Sequence, residues 1–363
     1  IIPSRTANSI NVMKMCDSLS NIDNDVTLIH PRINMRFFSN NNIENHKYYG
    51  TSGTFNMVSL FSIVPFKYRI GKWFYAIISG FYIFIFRPNI VYSRSILSCY
   101  IALILKRRVI YECHQDEWGR SVFHSTIFVK MLKDSNLLKI VVISNALKKL
   151  IINSFRNHIA VDQIIVAHDG ADKVDDKYLN MLSVKDNFVV GYFGHLYKGK
   201  GVEFLLKVAS MMPDVSFKIY GGEESDIQRC KEYATKNVEI FGFVPHAKTA
   251  KYRSMCHVLV APYQKRVTVS GGGGDISKVM SPLKIFEYMS SKRPIVCSDL
   301  TVLREILDDD TAIFAKINNC NEWVEAINRL KNPELANAIS ERAYNKFLKF
   351  HTWNSRAKFI LNK

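Results

Sequence analysis

The chain of 363 residues predicts an α/β protein built from two parallel-sheet domains, and three observations carry that prediction. Short β-branched runs alternate with helical periodicity and glycine-marked turns, the pattern of parallel strands joined by crossover helices. At about 150 residues per domain the length accommodates two domains, each large enough to bury a core. The composition, 48% hydrophobic and 22% charged, excludes a stapled mini-protein, a collagen-like chain and a disordered tail.

Residues 89–93, 109–114, 140–144 and 164–166 read as strands of the first half. The Asp-rich stretch 169–186 has the composition of an interdomain connection. In the second half 188–193 reads as a strand, 201–211 as a helix, and 215–220 as a strand ending at Gly221-Gly222. Residues 238–241, 257–261 and 294–298 are further strands with helices between them, and from about 332 the chain is helical without a strand signal. Ligands of such sheets sit at the carboxyl ends of strands, so the natural site is a cleft between the two domains.

Seven cysteines are dispersed without a C-x-x-C spacing. They read as reduced, mostly buried thiols of a cytosolic protein, with no zinc site. No signal peptide is visible, and Ile1 is not an initiator Met, so the start of the chain is not expected to be the start of the gene product.

The charge balance is the unusual feature: 49 Lys+Arg against 32 Asp+Glu, a net charge of +17. That excess implies an anionic partner, whether nucleotide, nucleic acid or phospholipid. It is uneven. Residues 45–111 contain no Asp or Glu, yet include Lys47, Lys67, Arg69, Lys72, Arg87, Arg94, Lys106, Arg107 and Arg108 among many aromatics, Phe61, Phe66 and Tyr68 included. Within them the uncharged run 73–86 is too short as a helix to span a bilayer, which takes ~20 residues. It is either an interfacial helix with basic flanks or a buried helix of the α/β domain. The long acid-free window favours membrane contact. No nucleic-acid module accompanies the charge, so nucleic acid is not expected as a partner.

Three places could carry chemistry. After the strand at 188–193 come Gly194, His195 and then Lys200 opening a helix, either an ordinary turn or a phosphate cradle. Ser281 reads as a helix N-cap with Pro282 as first helical residue, followed by Leu283 and Lys284, after a loop containing residues 271–274. Glu287, further along that helix, is either a salt-bridged structural group or an acceptor for vicinal hydroxyls. His114 ends the strand 109–114, as a structural histidine or as a group at the cleft edge.

Taken together, the stretches "GYFGHLYKGKG", "VEIFGFVPH", "VLVAPY" and "SPLKIFEYMSSKRPIVCSDLTVLREIL" resemble the group 1, or family 4, retaining glycosyltransferases across about residues 187–308. The first half resembles them more loosely through "PSRTANSINVMKMCDSL", "VIYECHQ", "VVISNALKKLI" and "VAHDGAD". The resemblance implies the GT-B fold: two Rossmann-like domains facing a cleft, with a C-terminal helix, here "HTWNSRAKFIL", crossing back to the first. The expected division is an acceptor- and membrane-facing domain at 1–180, a nucleotide-sugar domain at 181–335 and returning helices at 336–363.

It further implies that Lys200 binds the donor diphosphate beside Gly194 and His195, that backbone at Val244 and Pro245 holds the base, and that Glu287 accepts from the ribose. Ser281, Pro282, Leu283 and Lys284 would face the diphosphate and sugar, His114 the reacting centre, and the loop with Ser4, Arg5 and Thr6 the phosphates and acceptor. Three departures stand out. The second, earlier glutamate that the family often carries is Val279 here; His195 stands where many members have an arginine; and the usual first strand and glycine-rich turn are missing before Pro3.

The function implied is a cytoplasmic, peripheral glycosyltransferase of hexosyltransferase type on the inner membrane face. It would use a nucleotide diphosphate sugar and a glycan or lipid-linked acceptor for surface polysaccharide or glycolipid synthesis. No cofactor or metal is expected, because a lysine and a helix N-terminus can stabilise the leaving diphosphate and same-face attack needs no paired carboxylates. Other readings are another GT-B enzyme, such as a nucleotide-sugar epimerase, or a non-catalytic peripheral membrane protein.

Overall fold

A computed structural model describes residues 2–31, 42–60, 69–179, 187–268 and 274–362. The chain divides into two units, Ile1–His168 with Ala357–Lys363, and Asp169–Arg356.

In the first unit β1 (Thr27–Pro31) and β2 (Asn56–Leu60) pair in parallel with one another. Strands β3 (Ile90–Ser93), β4 (Arg108–Cys113), β5 (Leu137–Val142) and β6 (Ile164–Val166) form a separate parallel sheet in that order. β4 is buried from Val109 to Cys113, as a strand covered on both faces must be, and carries Glu112 among its apolar residues. Ser144, expected to end a strand, instead caps the helix Asn145–Phe155 by accepting the Leu147 N–H at 3.2 Å.

The helix Arg69–Phe86 contains the uncharged run. Ala76, Ser79, Gly80 and Ile83 are buried on one side of it. Gly80 is needed there, since a Cβ would lie 2.6 Å from Ile101 of the neighbouring helix Ile96–Ile104. The other side is apolar too, yet Ile70, Ile77, Phe81, Phe84 and Ile85 are exposed. At 100° per residue these five fall on one stripe. Phe61, Phe66, Lys67 and Tyr68 lie outside the described residues.

The second unit is one six-stranded parallel sheet, β7 (Val189–Phe193), β8 (Ser216–Tyr220), β9 (Val238–Gly242), β10 (Val258–Ala261), β11 (Ile295–Ser298) and β12 (Ile313–Ala315), in the order β12-β11-β10-β7-β8-β9. The chain winds outward from β7 through β8 to β9, then returns to the other side of β7 at β10. The boundary between β7 and β10 is thus the topological switch point, where crevices open beyond the strands' carboxyl ends. The core beneath holds Val190, Phe217, Ile219, Val258 and Trp323, all at most 1% exposed.

The division differs from the expected one. The second unit begins at Asp169, so the stretch taken as a connection opens this unit; residues 180–186 lie outside the described ones. The helix Pro333–Phe350, capped by Asn332, packs against the helix Leu283–Ser290 inside the second unit. Only from Ala357 does the chain rejoin the first unit, where Lys139 Nζ donates to the Ile360 carbonyl at 2.8 Å.

All seven cysteines are free. Burial raises the thiols of Cys113 and Cys256 to about 12. Among the described residues no helix is long and apolar enough to cross a membrane.

Candidate active site

The second unit gathers most of the expected residues at its switch point. Tyr288 ties the ends of β7 and β10 together: its hydroxyl accepts the Phe193 N–H at 2.9 Å and donates to the Val260 carbonyl at 3.2 Å. Beyond β7, Gly194 has φ +144°, and a Cβ there would lie 2.9 Å from Lys284 Nζ. The backbone conformation is the one that favours glycine. The Tyr192 hydroxyl donates to the His195 carbonyl at 2.7 Å, and the His195 ring stacks on Tyr197 at 4.7 Å. The Gln264 N–H donates to the Gly199 carbonyl at 2.9 Å, pinning the turn to the segment after β10. Gly201 (φ +84°) then starts the helix Val202–Ser210.

Two lysines converge here. Lys200 Nζ lies 5.3 Å from the centroid of the Tyr263 ring, and burial lowers its ammonium to about 8. Lys284 Nζ is 3.8 Å from the Tyr192 centroid and 5.1 Å from that of Tyr263. Burial, and secondarily the Lys200 charge, holds Lys284 well below the ordinary lysine range, against a small opposing pull from Glu287. Burial and then both lysines depress His195. The site therefore gathers two amines whose charged forms are disfavoured until an anion arrives to pair with them.

Ser281 does not cap the next helix. Pro282 occupies the N-cap and Leu283 is the first helical residue, while the Ser281 hydroxyl accepts the Asp169 N–H at 3.0 Å. The reason is local: Asp169 supplies a buried donor, and a prolyl ring can cap by backbone alone.

Glu287 is held rather than free. His246 Nε2 lies 2.6 Å from its Oε1, and Arg253 Nη1 3.7 Å from its Oε2. Arg253 is itself fixed by Ser291 Oγ at 2.8 Å and Thr249 Oγ1 at 2.7 Å. Burial alone would raise the carboxyl, but His246, Arg253 and Lys284 together bring it down to about 2. Pro245 caps the helix His246–Ser254, which delivers both partners, and Val244 precedes it half-buried. The structure thus joins the 244–246 segment to Glu287 through His246. Sequence reading missed His246, Arg253, Tyr192 and Tyr263; His246 lay inside a quoted motif, but nothing local connects it to a residue 41 positions away.

His114 and the Ser4–Thr6 loop lie in the first unit. His114 Nε2 pairs with Glu112, whose side chain is fully buried at the end of β4. The Ser4 hydroxyl bonds those of Thr6 and Ser9, both at 2.9 Å, and the Ser4 N–H donates to the Tyr49 hydroxyl at 2.7 Å. Arg5 is exposed, and Thr6 caps the helix Ala7–Ser20 by backbone only. Residues 271–273 of the expected flexible loop lie outside the described ones.

Residues 187–332 match the family model described as "Glycosyl transferases group 1". No curated protein matched the chain. Solved structures with low identity share its fold across nearly the whole chain. Anabaena HepE in complex with UDP and glucose is 13% identical at a TM-score of 0.70, covering 99% of this chain and 96% of its own. A Rickettsia africae ESF-5 glycosyltransferase is 14% identical at 0.72, covering 98% and 93%. The apo lipopolysaccharide outer core galactosyltransferase WaaB is 13% identical at 0.67, covering 99% and 95%. These likenesses bear out the expected GT-B fold.

Proposed function

We propose, from the premise that residues 187–332 form a group 1 glycosyl transferase domain, that this chain transfers a sugar from a nucleotide diphosphate sugar to a glycan or lipid-linked acceptor. The observation that carries the reading is the switch point, where the amines of Lys200 and Lys284 converge on Tyr263 beside the Gly194 turn inside the matched stretch. HepE was solved with UDP and glucose on the same fold, which supports a nucleotide-sugar donor.

The chemistry follows from these groups. Cleavage of the glycosyl–phosphate bond leaves negative charge on the diphosphate; Lys200 and the N–H groups opening the helix Leu283–Ser290 stabilise it where it forms. The amines supply the positive charge, so the reaction proceeds without a metal. Glu287, ionised and aimed by His246 and Arg253, accepts from the ribose hydroxyls, and backbone at Val244–Pro245 holds the base. The configuration is retained by attack on the face the leaving group departs, assisted by its oxygen. His114 serves beside the donor sugar, and Ser4, Arg5 and Thr6 on the phosphate and acceptor side.

The reaction takes place at the cytosolic membrane face, in surface polysaccharide or glycolipid synthesis. The exposed apolar stripe of Arg69–Phe86 supports this, with Arg87, Lys106 and Arg108 exposed at or near its end and that of the adjoining helix. It has the two parts of an interfacial anchor, apolar area and basic residues for anionic headgroups. The WaaB structure, a lipopolysaccharide outer core galactosyltransferase, supports an acceptor of that kind.

The test is a panel of nucleotide sugars, first by thermal stabilisation, then by transfer to membrane extracts with and without EDTA. A true donor at 100 times its dissociation constant adds about 2.7 kcal/mol. Lys200→Ala and Glu287→Ala should each abolish transfer while vesicle binding persists. No stabilisation by any donor, or transfer undiminished in both variants, defeats the reading; acceptor-independent turnover replaces it with an epimerase.

A further inference from the structure

We infer that Glu112 is a positioning residue for His114, holding its imidazole in the orientation that the transfer reaction uses. The inference rests on the sugar-transfer reading above, in which His114 serves beside the donor sugar, and adds the group on which His114 depends.

β4 runs between β3 and β5, and Glu112 lies opposite Val141 of β5. Its side chain is fully buried in a sheet whose nearby positions are Ile110, Ile140, Val141 and Val142, each at most 1% exposed. An apolar side chain is the ordinary occupant of such a place, because a buried carboxylate is expensive to keep unless it is paired. Here the partner is His114 Nε2.

The pairing follows from strand geometry. Side chains two residues apart leave a strand on the same side. His114, the first residue past β4, therefore turns its ring back to Glu112, while Cys113 between them sends its Sγ to the Gln115 carbonyl at 3.2 Å. His114 is not sealed in: its side chain is 17% exposed, against none for Glu112. The pair thus has a fixed inner end and an outer end that can meet a ligand. A carboxylate behind an imidazole stops the ring from rotating and fixes which nitrogen it presents. With Nε2 engaged by Glu112, contact with a substrate falls to the Nδ1 edge.

A pair that only seals the end of β4 makes a different prediction. Breaking it would lower stability, and any effect on turnover would be the same whether or not His114 is present.

The experiment uses the whole chain, the nucleotide sugar that stabilises it best, and membrane extract as acceptor. It compares kcat and donor KM in the wild type, Glu112→Gln, His114→Ala and the double variant, each first checked for a cooperative thermal transition. Glutamine keeps the length and one acceptor oxygen but removes the charge. Glu112→Gln should lower kcat about tenfold or more and change donor KM less than about threefold. In the His114→Ala background the same change should cost less than about twofold, since a residue that acts through another then has nothing to position. Glu112→Asp, which withdraws the carboxylate by one methylene, decides the matter if the glutamine variant does not fold, with the same pair of results expected. A folded Glu112 variant with wild-type kcat, or equal losses with and without His114, overturns the assignment and leaves the donor reading standing. So does failure of both variants to fold, which makes the pair structural. Wild-type kcat in His114→Ala removes the role of both residues. A wild-type chain that transfers no sugar from any donor overturns the underlying reading as well.

Discussion

The second unit sets half-buried Lys200 and buried Lys284 against aromatic rings, whereas the first exposes Arg87, Lys106 and Arg108 to water around an apolar helix stripe. Both regions are basic, but they suit different anions. Desolvated amines in a fixed cradle recognise one small ligand at close range and are little screened. Solvated side chains around exposed Phe81 and Phe84 suit an extended surface, and their attraction decays within about 8–10 Å at physiological salt. On the proposed function, the net charge of +17 divides into a small part for the donor and a larger part for a surface.

The strongest way to break this contrast is to remove the apolar stripe. Ile77→Ser, Phe81→Ser and Phe84→Ser together should lower partition onto phosphatidylglycerol vesicles about a hundredfold, taking roughly 1 kcal/mol per side chain, under half of full burial. Because these side chains are exposed, the thermal midpoint should hardly move. Raising salt from about 0.05 to about 0.5 M should release the wild-type protein from vesicles. Undiminished vesicle binding by the triple variant would mean that charge alone, or another face, makes the contact.

A second test addresses the buried side. Glu287 has its carboxyl lowered from 4.5 to about 2 in the folded chain, so its contribution is present above pH about 4.5 and is lost as pH falls toward 2. That interval corresponds to about 3 kcal/mol of stability. Glu287→Gln should flatten the acid limb of the stability curve, and His246→Ala should flatten part of it while weakening donor binding. An unchanged acid limb in both would mean that the carboxylate is not held by its neighbours.

How much could be read beforehand follows the same division between local and distant contacts. β7, β8 and β10 are legible because β-branched or aromatic runs end at glycines or at Pro262. β1 and β2 escaped because His30-Pro31, Asn56 and Ser59 break their apolar patterns. Lys200 and Glu287 stand in contiguous motifs and were legible as candidates. Their environment was not: Tyr263, Tyr192, His246 and Arg253 reach them only through the order of strands in the sheet. Nor could periodicity tell that Arg69–Phe86 is apolar on both its buried and its exposed side.

Ser281 offers the smallest effect and the finest discrimination. A helix cap and a loop staple are both lost on Ser281→Ala, but only the second leaves the Asp169 N–H without its partner. Since Asp169 is 5% exposed, water cannot readily replace that acceptor, and the cost should be about 1–2 kcal/mol. If the hydroxyl only staples the start of the second unit, diphosphate affinity in this variant should stay within threefold of wild type. A tenfold weakening at equal stability would instead mean that Ser281 exchanges the Asp169 N–H for the ligand, and that the donor site extends from the lysines to the first residue of the unit.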